Sequence, residues 1–321
     1  MHHVRVVARL DGPLLEAIPP LLRLAAEADG HYPVGEHKLL RLRRGGDDRT
    51  LALLAYHGDL LVGYAHVVIY EEDGRRGSCE LVVHPDHRRR GIGGLLLDAA
   101  IRRAAGLGAA RLDVWAYGHR PGSDQLAFRF GCVPRRRLLH LRRPLDGALP
   151  EVPLPPGVTL RAFRPGQDEE PWLALNRRMF EGHPENGRWT REDLEGRMGQ
   201  RWFDPQDFLL AERAGTLAGC CWTKREDETL HAAGSGEIYV LGVAPEARCG
   251  GLGRALLAAG LRHLRDAGCG TAAVYVDEGN RPAAALYRGF GFSLHHVDTC
   301  YSLDLEPAAQ GPAHLRDEPA A

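Results

Sequence analysis

Two short segments of this sequence combine glycine and arginine in a way suited to holding a phosphate. They are Arg88-Arg89-Arg90-Gly91-Ile92-Gly93 and Arg248-Cys249-Gly250-Gly251-Leu252-Gly253. Each stands between an apolar run that reads as a strand and one that reads as a helix. Glycine has no Cβ, so the backbone there can approach a ligand closely. The helix that follows offers unpaired N–H groups and the positive end of its dipole, which together favour a pyrophosphate. Two other nucleotide-binding patterns are missing: there is no G-x-x-x-x-G-K-[ST], and no G-x-G-x-x-G opens a dinucleotide-binding unit.

The two segments are copies of one another. At a constant offset of 160 residues, Leu81-Val82-Val83-His84-Pro85 lies over Leu241-Gly242-Val243-Ala244-Pro245, and Phe130-Gly131 lies over Phe290-Gly291. About 15 of 52 positions in this window are identical without a gap, which indicates a duplicated domain and not a short-period solenoid. A chain of 321 residues has room for two such domains. Five prolines between Pro144 and Gly157 favour extended chain over helix or central strand. The expected organisation is therefore an N-terminal domain over 1–143, a linker over 144–157, a C-terminal domain over 158–305 and a disordered tail over 306–321.

Each half reads as mixed α and β. Apolar periodicity predicts a helix over Leu14–Ala28, strands over Thr50–Tyr56, Leu60–Tyr70 and Glu80–Val83, a helix over Leu95–Ala105 and a strand over Arg111–Tyr117. The second half repeats the order, with a helix near Glu170–Met179 and strands over Phe208–Ala214, Leu217–Lys224 and Ile238–Val243. A helix over Leu252–Ala267, a strand over Ala272–Val276 and a helix over Pro282–Arg288 follow.

Composition narrows the function. With 44% hydrophobic and 26% charged residues, the chain has an ordinary globular mix, and no apolar run reaches the roughly 18 residues of a membrane span. The start lacks the order of a secretory signal, so a cytoplasmic location is expected. A formal charge of −1 argues against nucleic acid as the main partner. Arg135-Arg136-Arg137 and Arg142-Arg143, interleaved with Leu138, Leu139 and Leu141, read as a solvated edge strand. Seven cysteines form no C-x-x-C pair and read as reduced thiols. The sixteen histidines show no zinc spacing. His295-His296 reads as a strand feature, and no metal is expected. Lys38 and Lys224 are the only lysines.

The R-x-x-G-x-G loops resemble those of the GNAT acetyltransferases, in which this loop holds the pyrophosphate of acetyl-CoA. The downstream segment Ala285-Leu286-Tyr287-Arg288-Gly289-Phe290-Gly291-Phe292 resembles an aromatic-rich helix of that family. The resemblance covers both halves and sharpens toward the tandem mycothiol synthase branch. The segments that carry it are Pro33-Val34-Gly35-Glu36, Phe180-Glu181-Gly182-His183-Pro184-Glu185, Trp202-Phe203-Asp204-Pro205, Cys221-Trp222-Thr223-Lys224, Glu237–Val243 and Tyr275-Val276-Asp277. It implies an α/β fold with a mixed sheet in two tandem GNAT-like domains, and acetyl-CoA as co-substrate. The implied acceptor is a small pseudodisaccharide, 1-D-myo-inosityl 2-(L-cysteinylamino)-2-deoxy-α-D-glucopyranoside, acetylated on its cysteinyl amine. No partner chain is called for, which leaves a monomer as the default.

The resemblance also implies roles for single residues. Acetyl-CoA would contact Leu81, Val82, Val83, Arg89, Arg90, Gly91, Ile92, Gly93 and Gly94 in the first half. In the second half the contacts would be Leu241, Gly242, Val243, Arg248, Cys249, Gly250, Gly251, Leu252, Gly253 and Arg254, with Asn280, Arg281, Pro282, Ala283, Ala284 and Ala285 opening the last helix. Acceptor contacts would be Glu36, Glu185, Lys224, Glu237 and Tyr275. An amine nucleophile must lose a proton and the departing thiolate must gain one; Glu237 is placed for the first transfer and Tyr287 for the second. Backbone N–H groups near Leu241–Val243 could polarise the acetyl carbonyl. At the 160-residue offset Glu237 falls on Gly77 and Tyr287 on Ala127, so catalysis is expected in the second half only. Three features depart from the family pattern: Cys249-Gly250 replaces a more basic pair, Asn280 stands one residue further from Asp277, and Arg225–Gly236 is long. Other acceptors (a different small amine, an aminoglycoside, a protein N-terminus) stay open, as does a non-catalytic acyl-CoA-binding module.

Overall fold

A computed structural model describes residues 2–8, 10, 12–35, 38, 50–71, 75–118, 120–183, 186–225, 234–248 and 250–305. The tail expected to be disordered, and most of the long segment after Lys224, lie outside the described residues. The chain forms two compact units, one of Met1–Arg137 with the segment from Asp298 on, the other of Leu138–Val297.

Unit one contains β1 (His2–Val7), α1 (Gly12–Asp29), β2 (Thr50–His57), β3 (Leu60–Tyr70), β4 (Arg76–Val83), α2 (Ile92–Gly106), β5 (Arg111–Ala116) and α3 (Pro121–Arg129). Unit two draws on β6 (Val133–Pro144), β7 (Val158–Ala162), α4 (Glu169–Met179), α5 (Arg191–Met198), β8 (Phe208–Arg213), β9 (Thr216–Arg225) and β10 (Ser235–Val243). It continues with α6 (Leu252–Asp266), β11 (Thr271–Asp277), α7 (Arg281–Gly289) and the start of β12 (Ser293–Asp304). The strand order is β1-β2-β3-β4-β5-β12 in unit one and β6-β11-β10-β9-β8-β7 in unit two. This is the mixed α/β architecture expected, twice over.

The closing strand of each unit comes from the other half of the chain. In unit one, Thr299–Asp304 of β12 runs antiparallel to β5 from Ala116 back to Arg111. In unit two, Leu138–Pro144 of β6 runs antiparallel to β11 from Asp277 back to Thr271. The units therefore divide at 137/138 and 297/298, and the proline-rich stretch after Pro144 lies within unit two. The Arg-rich run is β6, and only its first part is solvated. Leu139, His140 and Leu141 are buried, and Arg143 is 8% exposed. The Arg143 guanidinium donates to the Phe290 carbonyl at the end of α7 and to the Pro144 carbonyl. A buried arginine on spare carbonyls is a structural clamp, which corrects the reading of this run as an edge strand.

Parallel neighbours carry the opening that matters. In unit one, β4 pairs with β5 from Arg76–Arg111 to Glu80–Trp115. In unit two, β10 pairs with β11 only from Ser235–Thr271 to Glu237–Ala273. Beyond those points the strands part, and the twist of the sheet widens the gap.

The core of unit two is aromatic. Trp222 on β9 stacks on Phe208 with ring centroids 4.2 Å apart, and it meets Trp172, Trp202, Phe203 and Tyr239 at 5.3–6.1 Å. The turn that carries Trp202 and Phe203 is pinned below, where His263 on α6 bonds to the buried Asp207 at 2.6 Å. The six described cysteines are all free and buried.

The hydrogen bond to Asp207 raises the pKa of His263 above its ordinary value. Its stabilising contribution is thus complete below pH ~6.5, the unfolded value, and is lost as pH rises through the higher folded value. Urea midpoints measured across this range should fall with rising pH more steeply in the wild type than in His263→Gln; parallel profiles would contradict the assignment.

Candidate active site

The two glycine-arginine loops have the same backbone. Each begins with a single 3-10 turn, Pro85–His87 or Pro245–Ala247, followed by an extended arginine: Arg88 at φ −66°, ψ 162° and Arg248 at φ −65°, ψ 164°. Each ends on a glycine that caps the next helix in the left-handed region, Gly91 at φ 83° and Gly251 at φ 80°. A Cβ on either glycine would meet nothing within 4 Å; the backbone angle alone demands glycine. Neither helix start has a side-chain cap, so its first N–H groups remain for an anion.

The leading arginines brace the loops. Arg88 grips Asp29 at the end of α1 through two bonds of 2.7 and 2.9 Å and also reaches the Val83 carbonyl. Arg248 donates to the Met179 carbonyl at the end of α4, 3.2 Å away. Positive charge near the glycines therefore has structural work as well. Arg89 bonds to Gln125, and Arg254 lies over the Phe290 ring at 5.2 Å. Cys249 lies outside the described residues. Gly253 packs toward Val243, and Gly242 lies so close to Met179 that a Cβ would sit 2.6 Å from its sulfur. Asn280 caps α7 by accepting from the Ala283 N–H, which leaves Arg281, Pro282, Ala283, Ala284 and Ala285 as the first turn of that helix.

Unit one holds a cavity of about 690 Å³ in the gap between β4 and β5. Leu81, Val82, Val83, Arg89, Gly91, Ile92, Gly93 and Gly94 all line it, together with Trp115, Tyr117 and Tyr301. Eight of the nine first-half residues expected around acetyl-CoA thus surround one space, and Arg90 is exposed beside it.

In unit two the ladder places Glu237 opposite Lys224 on β9 and Ala273 on β11. Tyr275 stands two residues beyond Ala273, so Lys224, Glu237 and Tyr275 share one face of the sheet. The Lys224 ammonium lies over the rings of Trp202 at 4.8 Å and Tyr239 at 5.3 Å. Arg197, itself over Trp189 at 3.8 Å, donates to the Tyr239 hydroxyl. Tyr275 is 40% exposed and stacks on His140. Glu36 and Glu185 lie outside the described residues.

Tyr287 is on the other side of the sheet. It is buried on α7 against Phe292, and burial, helped by the nearby Cys221 thiol, raises its pKa. Cys221 faces α6, since a Cβ on Gly260 of that helix would lie 2.4 Å from its sulfur. Glu237 and Tyr287 therefore flank the gap between β10 and β11 from opposite faces. Such an arrangement lets one group serve an incoming nucleophile and the other a departing thiolate.

The register corrects the comparison between halves. Thr223 pairs with Ile238 but Trp222 pairs with Val240, so Tyr239 is an extra residue, a bulge in β10. In unit one β4 pairs with β3 without a break. Upstream of the bulge the offset is therefore 159, and Glu237 corresponds to Ser78, not Gly77. The parallel ladders agree, for Gly77 faces Leu112 and Gly236 faces Ala272. Both glycines also lie beneath the same helix position, Ala104 in one unit and Leu264 in the other. Tyr287 keeps Ala127 as its counterpart, because both carbonyls accept from the same two positions of the following turn.

Ser78 is occupied. The buried Lys38 ammonium bonds to its hydroxyl at 2.8 Å and to Glu80 at 2.7 Å, while the Tyr117 hydroxyl and the Gly35 N–H also donate to Glu80. Unit one thus carries an internal ion pair where unit two presents a carboxylate. Sequence reasoning missed this network because Lys38 and Ser78 are 40 residues apart.

Comparison with known proteins agrees with this geometry. A model of the acetyltransferase (GNAT) family matches residues 18–131 and again 171–292. The chain belongs to the GNAT acetyltransferase family. It is an N-acetyltransferase, and members of this family use acetyl-CoA as co-substrate. It is 50% identical to a mycothiol acetyltransferase of Thermobispora bispora over 93% of this chain and 99% of that one. It is 46% identical to another from Thermomonospora curvata, covering 91% and 94%. Among solved structures, a GCN5-related N-acetyltransferase from Sphaerobacter thermophilus matches with a TM-score of 0.69 at 25% identity, over 94% and 96% of the two chains. A tandem GNAT protein from the clavulanic acid biosynthesis pathway has a similar fold, with a TM-score of 0.73 at 20% identity over 95% and 100%. Among the described residues, no helix is long and apolar enough to cross a membrane.

Burial should keep Tyr287 protonated beyond the ordinary tyrosine range near pH ~10. In a spectrophotometric pH titration, Tyr287→Phe should leave the number of phenols ionising near that pH unchanged. Loss of one such phenol would refute the environment described here.

Proposed function

We propose that unit two transfers the acetyl group of acetyl-CoA to the cysteinyl amine of 1-D-myo-inosityl 2-(L-cysteinylamino)-2-deoxy-α-D-glucopyranoside, forming mycothiol. The observation that carries this reading is the asymmetry between the units. Both keep the pyrophosphate cradle, but the carboxylate and the phenol occur only in the second, as Glu237 for Ser78 and Tyr287 for Ala127. The name shared by the full-length relatives supports the acceptor.

In this mechanism acetyl-CoA lies in the gap between β10 and β11, its pyrophosphate at the N–H groups of α6 after Gly251. Contacts from Leu241, Gly242, Val243 and the loop through Arg254 hold it on one side, and Asn280 with the first turn of α7 on the other. The acceptor arrives as an ammonium, and Glu237 takes its proton, directly or through one water. The freed nitrogen attacks the thioester carbon, whose oxygen is met by backbone N–H groups near Leu241–Val243. As the C–S bond breaks, Tyr287 gives its proton to the sulfur, and the surplus proton left on the acylated nitrogen returns to the phenolate through water, leaving a neutral amide, the CoA thiol and a protonated Glu237 that releases its proton to solvent. Lys224 and Tyr275, on the same face as Glu237, bind the polar acceptor, with Glu36 and Glu185 assigned to the same task by resemblance. Hydrogen-bonding groups of this kind discriminate strongly against analogues that lack the matching hydroxyl or amine. Unit one binds acetyl-CoA without turnover, since its base position is filled by the Lys38–Glu80 pair.

Steady-state assays with the pseudodisaccharide test the assignment. Glu237→Gln should lower kcat by about 10²–10⁴-fold, the usual contribution of a general base, and Tyr287→Phe should lower kcat with little change in acceptor KM. Gly251→Val should abolish turnover, whereas Gly91→Val should leave most of it. Full activity in both Glu237→Gln and Tyr287→Phe would sink the mechanism. Turnover of other amines but not of this acceptor would sink the substrate.

A further inference from the structure

We propose that His140, His295 and His296 form a binding site for a divalent transition metal of the zinc class on the acceptor face of unit two. One ring nitrogen of each lies within 4.8 Å of the other two. The Nδ1 atoms of His140 and His296 are 3.2 Å apart, which matches the roughly 3.3 Å between two nitrogens of a tetrahedral site with bonds of about 2.0–2.1 Å. His140 comes from β6 and the other two from β12, so the cluster exists only because these strands meet in unit two.

The site has both a fixed and an adaptable part. His140 is 1% exposed and held by Tyr275, whose ring stacks on it at 4.3 Å and 12°. His296 is half-buried beside it, with ring centroids 4.3 Å apart. His295 is exposed, with its ring centroid 5.4 Å from that of His140 and 5.2 Å from that of His296. Arg142 lies near His295. The same arginine opposes a cation and tempers affinity. Three imidazoles suit Zn²⁺, Ni²⁺ or Cu²⁺ and not Mg²⁺ or Ca²⁺, and they leave one coordination position open.

The position of the cluster gives the metal a consequence, which rests on the reaction proposed above. Tyr275 lies about 7 Å along β11 from the residue paired with Glu237. An acceptor that arrives as an ammonium would meet the added positive charge there. Bound metal should therefore raise the KM for the acceptor and leave that for acetyl-CoA unchanged.

The test titrates the chelator-stripped full-length protein with Zn²⁺ alone by calorimetry, and with Co²⁺ by visible absorption. One equivalent should bind, with the d–d bands of tetrahedral cobalt held by three nitrogens and one solvent oxygen. His295→Ala, at an exposed position, and His296→Ala, at a half-buried one, should each weaken binding at least about tenfold, since losing even an outer-shell partner costs about 10–100-fold. A second chain of histidine rings, His2–His57–His87–His84 in unit one, supplies the control, and His57→Ala should leave this equivalent intact. Absence of a stoichiometric metal, or binding indifferent to His295→Ala and His296→Ala, would overturn the site and show a hydrogen-bonded histidine pair only. These binding results do not depend on the acceptor. Metal binding with an unchanged acceptor KM would overturn the coupling alone.

Discussion

The register of β10 against β9 is the constraint on which the candidate site depends. One extra residue, Tyr239, lets Ile238 and Val240 pair with consecutive residues of β9. A bulge bends its strand and increases its local twist. Here it comes just after the last parallel pair with β11, Glu237 to Ala273, where the two strands part. Upstream of the bulge, Glu237 faces Lys224 on one side of the sheet. Downstream, Leu241–Val243 stay paired with β9 and border the gap left beyond the last pair with β11. The bulge residue is itself fixed by Arg197 and by the tryptophans around Trp222. The aromatic core is thus more than filler, because it holds the irregularity that sets the position of the carboxylate.

The cradle, by contrast, is the same in both units. A left-handed glycine, an uncapped helix and an arginine tied to the preceding helix recur with backbone angles that agree within a few degrees. These requirements are local, so a duplicated sequence keeps them with few residues. What separates the units lies on the sheet face. In unit one the space next to Ser78 is filled by a lysine that the chain supplies itself, neutralised by Glu80 and braced by Tyr117. A buried pair of this kind is costly to break by removing one member, so the change is hard to reverse by a single substitution. With Ala127 in place of a phenol, the unit-one cavity is lined by Ala127 and by Tyr301 of β12.

Much of this was legible from residue order. β3 was expected over Leu60–Tyr70 and is found there, and the helices after both loops differ from expectation by three residues or fewer at either end. Strong periodicity in long elements explains that success. The elements that escaped were short or weakly patterned: β1, the five-residue β7, α5, and α3, whose sequence Pro121–Arg129 has few apolar residues. The bulge escaped because an ungapped alignment has no way to register one inserted residue that the flanking strands absorb. It moved the counterpart of Glu237 from a glycine to a serine while leaving Tyr287 opposite Ala127. Long-range assembly was invisible for a different reason. His140 and His296 are 156 residues apart, and Arg143 reaches a carbonyl 147 residues away. Their meeting depends on the exchange of closing strands, which no local pattern encodes. Glu36 and Glu185 rest on resemblance alone, since they lie outside the described residues.

Under the proposed roles of base and acid, the separation of Glu237 and Tyr287 onto opposite faces also accounts for their different surroundings. A base that receives protons from a solvated ammonium must stay in contact with water, and Glu237 is half-buried on the face with Lys224 and the exposed Tyr275. An acid that protonates a thiolate has to keep its own proton until the C–S bond breaks. Burial of the phenol among apolar neighbours disfavours its anion, and the Tyr287 environment does this with Phe292 and Cys221. If both groups shared one face, the water that serves the carboxylate would also solvate the phenolate and lower its pKa. A sheet that opens between two parallel strands resolves the conflict, because the thioester can lie in the gap with its carbonyl carbon open to one face and its sulfur near the other. In the proposed mechanism the split between β10 and β11 is therefore a requirement of the proton inventory as much as a way to make room for a ligand.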